Sequence, residues 1–323
     1  MRIHLDTDFG GDPDDACALA LLLAWSEADI VGITTNLDPG GYRAGCVAHY
    51  LRIAGRLDIP VVSGAGATLS KLERYLSTAG DARYWPEPVA PVPSSPGAAI
   101  DLLCRSIEKG ATIVAIGAAT NLALLEIARP GILENVSVVF MGGWVQPPDA
   151  GLPAWGPEKD WNVQCDTDAA LVLFRAAKLT LVTLPATLKA QLRASHLPRL
   201  RGSGPVGELL ALQSELHAQD NRMVQLGRTH AGLADDLLNF HYDPITCAVA
   251  LQWTGATVEE MRLLPVLTDG MLRFERSETG RMTRVVTDVD GDSFVQMWLE
   301  RIQALGPTRS YQAAQQDGST VRS

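Results

Sequence analysis

Acidic residues are concentrated near the start of the chain, where five aspartates fall within ten positions. Between one apolar run and the next lie Asp6, Asp8, Asp12, Asp14 and Asp15. Like charges packed together are unfavourable unless a cation or a positive dipole compensates them. The free N–H groups of a helix beginning near Asp14 supply part of that compensation. A hard divalent cation that prefers oxygen ligands, such as Ca²⁺, would supply the rest. The spacing therefore predicts a cation site.

Other interpretations of the acidic segment can be compared with its spacing. An EF-hand loop starting at Asp6 is excluded, because Gly10 and Cys17 stand where acidic ligands belong. A phosphatase of the haloacid dehalogenase type would use Asp6 and Asp8 as its strand-end pair, but the later Asp14-Asp15 pair is not part of that pattern. A helix cap followed by a solvated loop also stays open, although five acids exceed what capping requires.

Short apolar runs alternate with longer helical patterns along the chain. The predicted strands cover 2–5, 29–34, 59–63, 112–116, 136–141 and 179–184. The predicted helices between them include 15–25, 43–54, 98–109, 121–128 and 167–177. This alternation predicts a mostly parallel, doubly wound, Rossmann-like α/β sheet. Because ligands bind at the carboxyl ends of such strands, the aspartate cluster follows the first strand at the expected place.

No repeat or linker divides the chain. We therefore predict a single catalytic domain over 1–305 and a flexible polar tail over 306–323. Pro- and Gly-rich stretches at 80–97 and 143–159 predict long loops. The first of these loops carries Trp85, a candidate for stacking on a ligand.

Composition excludes several classes of protein. The 323 residues carry a formal net charge of −10, which disfavours a nucleic-acid partner. The longest apolar run, 16–25, is far shorter than the roughly 20 residues that a membrane-spanning helix needs. Five scattered cysteines without a CxxC pair predict neither disulfides nor a zinc site. We therefore predict a cytoplasmic protein with no membrane partner.

The acidic segment resembles that of the nucleoside hydrolase family, the inosine–uridine-preferring type. The family has a strand, then DxDxG, then an Asp-Asp pair opening an Ala/Leu-rich helix; here the segment reads LDTDFGGDPDDACALALLL. Further segments are similar in order, including IGAATNLA at 116–123, Asp160-Trp161-Asn162 and Asp243-Pro244. The resemblance covers residues 2 to about 303. It implies the nucleoside hydrolase fold and a homodimer or homotetramer.

The resemblance also implies metal and catalytic roles. Asp8, Asp15 and Asp243 resemble the carboxylates that bind Ca²⁺, and Ile116 the residue that lends its backbone carbonyl. Asp8 also stands where the family's general base does. The implied reaction is Ca²⁺-dependent hydrolysis of the N-glycosidic bond of a ribonucleoside, with Asp8 activating a metal-bound water. The resemblance also implies a role in purine or pyrimidine salvage.

Ribose-binding residues are implied in the same way. Asp14 and Asn162 resemble the residues that bind the ribose hydroxyls, Met141 lies where the family lines the sugar pocket, and Asp160 replaces the usual Glu. The family's Gly-Asn pair after the second strand is absent; Asn36 and Asp38 are the candidate substitutes, and a site with neither stays open.

The leaving-group end departs from the family. Many members have a His directly before the last Asp, but here Tyr242 takes that position and His241 precedes it. Either side chain is a candidate for assisting the departing base, because His can donate a proton and Tyr can stack or donate one. These departures keep a second hypothesis open, a non-catalytic Ca²⁺-dependent binder of nucleosides or sugars.

Overall fold

A computed structural model of the chain describes residues 1–70 and 82–306. Part of the predicted loop at 80–97 and nearly all of the predicted tail lie outside these residues. Within them the main sheet has nine strands in the order β10-β9-β11-β6-β5-β4-β1-β2-β3, and β7 and β8 pair separately. The first six strands are Arg2–Thr7, Asp29–Thr35, Val61–Ser63, Thr112–Ala115, Ser137–Met141 and Lys178–Val182. The others, β7 to β11, are Gln191–Arg193, Leu237–Phe240, Ala256–Thr268, Met271–Arg276 and Arg281–Val289.

Helices connect most of these strands. In the first half of the chain, α1 to α6 are Asp14–Ala24, Tyr42–Ile53, Ala98–Glu108, Thr120–Ala128, Trp161–Cys165 and Thr167–Ala176. In the second half, α7 to α12 are Leu184–Thr187, Leu197–Arg201, Pro205–Asp220, Met223–Arg228, Tyr242–Ala250 and Gly291–Leu305. Every predicted strand and helix is present, with bounds shifted by at most two residues.

Alternate residues of the central strands enter two separate hydrophobic cores. In β4, Val114 belongs to the core that contains α1, α2 and α11, whereas Ile113 belongs to the core that contains α3, α4 and α6. Successive side chains of a strand point to opposite faces, so both faces of the sheet are covered by helices. This explains why the strands are continuous apolar runs and confirms the predicted α/β class.

The strand order reverses beside β1. From β1 the chain moves to β2 and β3 on one side, and then returns to pair β4 on the other side of β1, all in parallel. Two neighbouring strands whose connections run in opposite directions leave a crevice at their carboxyl ends. The segment after β1, which carries the aspartates, opens into that crevice.

An antiparallel extension completes the sheet at one edge. The long strand β9 pairs antiparallel with both β10 and β11, and β11 then joins β6 in parallel. The predicted strands end with β6. Strands β9 and β10 alternate polar and apolar residues, which is a weaker signal than the continuous apolar runs of the central strands. No helix within residues 1–70 and 82–306 is long and apolar enough to cross a membrane.

Candidate active site

A cavity of about 760 Å³ lies at the carboxyl ends of the central strands. Asp8 follows β1, Ile116 follows β4 and Met141 ends β5, and all three line the cavity. The volume falls within the range of roughly 300–1,000 Å³ that is usual for small-ligand sites. The parallel topology therefore brings together residues that are more than one hundred positions apart in the sequence.

Three buried carboxylates form a cluster at this cavity. Asp14 and Asp15 open α1, Asp243 lies in the first turn of α11, and one oxygen from each lies within 4.8 Å of the others. Burial raises the pKa of all three well above the ordinary value, and the neighbouring carboxylates raise it further. Their negative charge is therefore poorly compensated by the protein itself.

This donor set fits a hard cation. Carboxylate oxygens are the preferred ligands of Ca²⁺, and a bound cation would offset the repulsion that raises these pKa values. Asp15 is oriented by a hydrogen bond from the hydroxyl of Thr7, the last residue of β1. The cluster includes Asp14, to which the resemblance assigns a role in ribose binding. Asp14 therefore lies where it could contact both the cation and the sugar.

Asp8 is half-buried at the same cavity, and two side chains hold it. The indole Nε1 of Trp161 donates to Asp8 Oδ2 at 3.1 Å. Burial raises the pKa of Asp8, while the positive charge of Arg43 and this hydrogen bond oppose the increase. Asp8 is thus an oriented carboxylate with a positive neighbour.

Arg43 is a site residue that sequence reasoning missed. It is buried near the start of α2, and its guanidinium donates to the backbone carbonyls of Phe9 and Leu37. A single arginine in a helical pattern gives no sequence signal of a site. Only the fold shows that Arg43 reaches the cavity.

Asp160, Asn162 and Met141 also line the cavity. Asn162 Nδ2 donates to the Met141 carbonyl at 3.0 Å, which fixes the amide against the end of β5. The two oxygens of Asp160 accept from the backbone N–H groups of Gly143 and Val163. Burial raises the pKa of Asp160 to about 6. Asp160 therefore caps α5 as well as lining the cavity.

Asn36 and Asp6 do not line the cavity. Asp6 is fully buried and accepts hydrogen bonds from Thr34, Asn36 and Asn121. These contacts tie β1 to β2 and to the start of α4. The expectation that Asn36 binds substrate is corrected, because its amide nitrogen donates to Asp6 inside the protein.

Trp85 is also placed away from the cavity. Its ring is buried, with its centroid 6.4 Å from that of Phe9 and 5.4 Å from that of His49. The stacking role predicted for it is corrected, because it packs beneath the acidic loop and supports Phe9.

His241 and Tyr242 have different environments. Tyr242 lines the cavity, and burial raises its pKa well above the ordinary value, so its hydroxyl keeps its proton. His241 is fully buried, with its ring centroid 4.6 Å from that of Trp298 and 5.6 Å from that of Phe294. Neither ring nitrogen of His241 has a hydrogen-bond partner among the described residues. The candidate role of His241 as a proton donor is therefore corrected.

His241→Leu should change the activity that the resemblance implies by no more than about threefold and should improve resistance to acid. Burial lowers the pKa of His241 to about 3 from 6.5, so between these values only the unfolded chain binds the proton. Stability is therefore lost as the pH falls through that window, and the substitution removes this loss. Thermal unfolding at pH 7 and pH 5 measures it. A loss of activity above 100-fold in a folded variant would restore the catalytic assignment.

Helices α9 and α10 form one wall of the cavity. His217 and Asn221 at the end of α9, with Met223 and Leu226 of α10, line it. Nothing in the sequence of these two helices indicates which of their side chains face the cavity. The loop at 143–159 adds Trp155 and Lys159.

Solved structures share this fold. A purine-preferring ribonucleoside hydrolase from Gardnerella vaginalis superposes with a TM-score of 0.78 at 21% identity, covering 94% of this chain and 99% of that one. A plant nucleoside hydrolase gives a TM-score of 0.76 at 23% identity, with the same coverage. The strand order and the acidic crevice thus define the class as an α/β protein with the nucleoside hydrolase fold.

Sequence comparison then gives the family. The model of the inosine-uridine preferring nucleoside hydrolase family matches residues 3–296. The pyrimidine-specific ribonucleoside hydrolase RihA of Salmonella typhimurium is 28% identical over 319 residues, covering 94% of this chain and 98% of the relative. RihA of Citrobacter koseri is 30% identical over 318 residues, covering 91% and 96%. The chain therefore belongs to the inosine-uridine preferring nucleoside hydrolase family and is a hydrolase of N-glycosidic bonds.

Proposed function

We propose that this protein splits a ribonucleoside into ribose and free base, that the reaction depends on Ca²⁺, and that Asp8 is the general base. The observation that supports the proposal best is the buried cluster of Asp14, Asp15 and Asp243 beside Asp8 in a cavity large enough for a nucleoside. Because the protein compensates little of the negative charge of these carboxylates, the site favours a bound cation and a substrate that becomes positively charged during the reaction.

The residues that would hold Ca²⁺ are Asp8, Asp15 and Asp243, with the backbone carbonyl of Ile116. All four line the cavity. Bound there, the ion would lower the pKa of water and neutralise part of the clustered charge.

Asp8 accepts a proton from the attacking water in this proposal. The hydrogen bond from Trp161 fixes the direction of its carboxylate, so that the proton acceptor is oriented before the reaction begins. Positioning of this kind supplies much of the rate enhancement when water must attack one carbon of a bound sugar.

The sugar lies between the aspartates and the end of β5. Asp14 accepts hydrogen bonds from its hydroxyls, the Asn162 amide accepts from them or donates to them, and Met141 packs against the sugar. Cleavage of a glycosidic bond passes through a cationic, oxocarbenium-like sugar. The surrounding carboxylates stabilise that positive charge electrostatically.

Tyr242 is the proposed residue of the leaving-group end. It lines the cavity next to Asp243, and burial raises its pKa, so the hydroxyl stays protonated and can donate a hydrogen bond to the departing base. Trp155 lines the cavity nearby and adds a flat surface for the base.

Ribose release from a panel of purine and pyrimidine ribonucleosides tests the proposal. We expect release with Ca²⁺ present, a loss of at least about 100-fold after treatment with a chelator, and recovery when Ca²⁺ is returned. Stabilisation by nucleosides without release of ribose would favour a binding protein instead. Release that is indifferent to the chelator would contradict the dependence on Ca²⁺. Light scattering of the same preparation tests the proposed homodimer or homotetramer.

A further inference from the structure

The end of α9 carries a histidine that the proposed mechanism does not use. His217 lies in the last turn of α9, and its side chain lines the cavity while remaining 10% exposed. Among the described residues, no other histidine lines this cavity. Each nitrogen of a neutral imidazole is either a donor or an acceptor, so the tautomer decides what His217 can do for a ligand.

A neighbouring amide fixes the tautomer of His217. Asn221 follows one turn later, and its Nδ2 donates to the backbone carbonyl of His217 at 3.1 Å. That contact identifies the atom as the amide nitrogen, because a carbonyl oxygen can only accept. The same Nδ2 lies 3.1 Å from His217 Nδ1. Nδ1 therefore accepts a hydrogen bond, and the ring hydrogen is on Nε2.

The Nε2–H group of His217 is a donor without an acceptor in the described part of the chain. Asp12 Oδ2 lies 3.6 Å from Nε2, which is too far for a hydrogen bond. Unlike the unpaired ring nitrogens of His241, Nε2 is not completely covered by the protein. Both His217 and Asp12 line the cavity, and the Asp12 side chain is 34% exposed. A ligand in the cavity can therefore reach this hydrogen.

Asp12 connects His217 to the carboxylate cluster and to Tyr242. Asp12 Oδ1 accepts a hydrogen bond from the backbone N–H of Asp14 at 3.2 Å, while Oδ2 faces the ring of His217. After burial, the charge of Asp12 is the strongest influence that raises the pKa of Tyr242 and of Asp14, as expected for a near neighbour. His217 and Tyr242 therefore border the same end of the cavity, which the proposed function gives to the leaving group.

A departing nucleobase needs hydrogen-bond donors. When the bond between C1′ of the sugar and the base nitrogen breaks, its electron pair passes to the base, and the nitrogen and oxygen acceptors of the base become more negative. A donor already held at such an atom stabilises the charge as it develops. Tyr242 is one proposed donor, and both purines and pyrimidines offer more than one acceptor atom. A second donor at this end therefore has an atom to bind.

We propose that His217 is a catalytic residue whose Nε2–H donates a hydrogen bond to an acceptor atom of the leaving nucleobase. The attacking water gives its hydroxyl group to C1′ and its proton to Asp8. The base leaves with the electron pair of the broken bond, stabilised by His217, and then takes a proton from solvent. This inference rests on the proposed hydrolase function.

The size of the effect depends on the leaving group. Removal of one donor from the place where charge develops typically lowers the rate by about 10²–10³-fold. The p-nitrophenolate anion is stable by itself and leaves without a donor. Hydrolysis of p-nitrophenyl β-D-ribofuranoside therefore uses the same sugar site and does not need His217. A substitution of His217 should affect this compound and a nucleoside very differently.

The experiment compares kcat/KM for the best nucleoside of the panel with kcat/KM for p-nitrophenyl β-D-ribofuranoside. His217→Phe and His217→Met both keep a large side chain and remove the donor. Each should lower the nucleoside value by about 100-fold and the aryl riboside value by no more than about fivefold. The ratio of the two values within one preparation does not depend on the fraction of folded protein, so partial misfolding does not mimic the result.

A matched control and contrary outcomes complete the test. His196→Phe should leave the ratio unchanged, because His196 is half-buried, accepts from the backbone N–H of Arg193 and does not line the cavity. Equal losses on both substrates in both His217 variants, or full nucleoside activity in either, would overturn the role of His217 and leave the hydrolase function intact. No release of ribose from any nucleoside by the unchanged protein would overturn the hydrolase function, and this inference with it.

Discussion

Asp8→Asn should lower kcat for ribose release by about 10²–10⁴-fold while the protein stays folded. Asn is nearly the same size as Asp but cannot accept a proton from water, so the substitution removes the proposed general base. It also replaces one of the carboxylate ligands proposed for Ca²⁺ with a neutral amide. Asp8 is half-buried, and its carboxylate accepts a hydrogen bond from the Trp161 indole; the amide oxygen of Asn can accept the same bond, so the fold does not depend on the charge of Asp8.

Initial rates with the best nucleoside of the panel, at saturating Ca²⁺, measure this effect. Asp58→Asn is the matched control, because Asp58 is exposed, pairs with Arg56 and is not among the residues that line the cavity. It should keep full activity. An Asp8→Asn variant with more than a tenth of the original kcat would contradict the assignment of the general base.

Asp243→Asn should abolish stabilisation by Ca²⁺ and should at the same time raise the melting temperature of the chelated protein. Asp243 is buried, and its pKa is raised first by burial and then by the charges of Asp15 and Asp8. Without a cation, removing one of three adjacent carboxylates relieves that repulsion. A relief of about 1 kcal/mol corresponds to roughly 2–4 °C in a domain of about 150–250 residues and to a somewhat smaller shift in this longer chain. With Ca²⁺ present, the variant lacks one of the carboxylate ligands, so Ca²⁺ raises its melting temperature little.

Thermal unfolding of the chelated and the Ca²⁺-loaded proteins measures both effects. Once the Ca²⁺ concentration exceeds the dissociation constant, the stability of the unchanged protein should increase with the logarithm of the Ca²⁺ concentration. Asp168→Asn, an exposed position in the first turn of α6, should behave like the unchanged protein. A lower melting temperature for chelated Asp243→Asn, together with a normal response to Ca²⁺, would show that the cluster has a purely structural role.

The two variants separate catalysis from metal binding. If Asp8 acts mainly as a base, Asp8→Asn should keep much of the stabilisation by Ca²⁺ while losing turnover. If Asp8 acts mainly as a ligand, both should disappear together. Asp243→Asn should lose both in either case. The comparison therefore tests the dual role of Asp8 without the need for a bound substrate.

Much of the fold was predictable because it depends on local patterns. Continuous apolar strands alternating with helices indicate a parallel sheet that is covered on both faces, and each predicted element is present within two residues of its predicted bounds. The hairpin of β9 and β10 was missed because a strand exposed on one face has only a weak apolar pattern. Its pairing depends on a distant edge of the sheet.

The site was predictable where it lies in one segment or in a recognisable motif. Asp8, Asp14 and Asp15 follow β1 directly, and Asp243 opens a helix after a strand. Side chains that reach the cavity from elsewhere carried no such signal. Arg43 and His217 belong to helices whose patterns show burial but not direction, so only the packing of those helices shows that they face the cavity.

The sequence by itself determined the α/β class, the acidic segment after the first strand and the resemblance to nucleoside hydrolases. Those properties follow from short-range patterns of polarity and charge, which one chain displays directly. The tertiary structure decided which neighbours enter the site. It placed His241, Asn36 and Trp85 in the interior and Tyr242 and Asn239 at the cavity. Which side chains reach the cavity depends on how distant segments of the chain pack together, and short-range patterns do not display that packing.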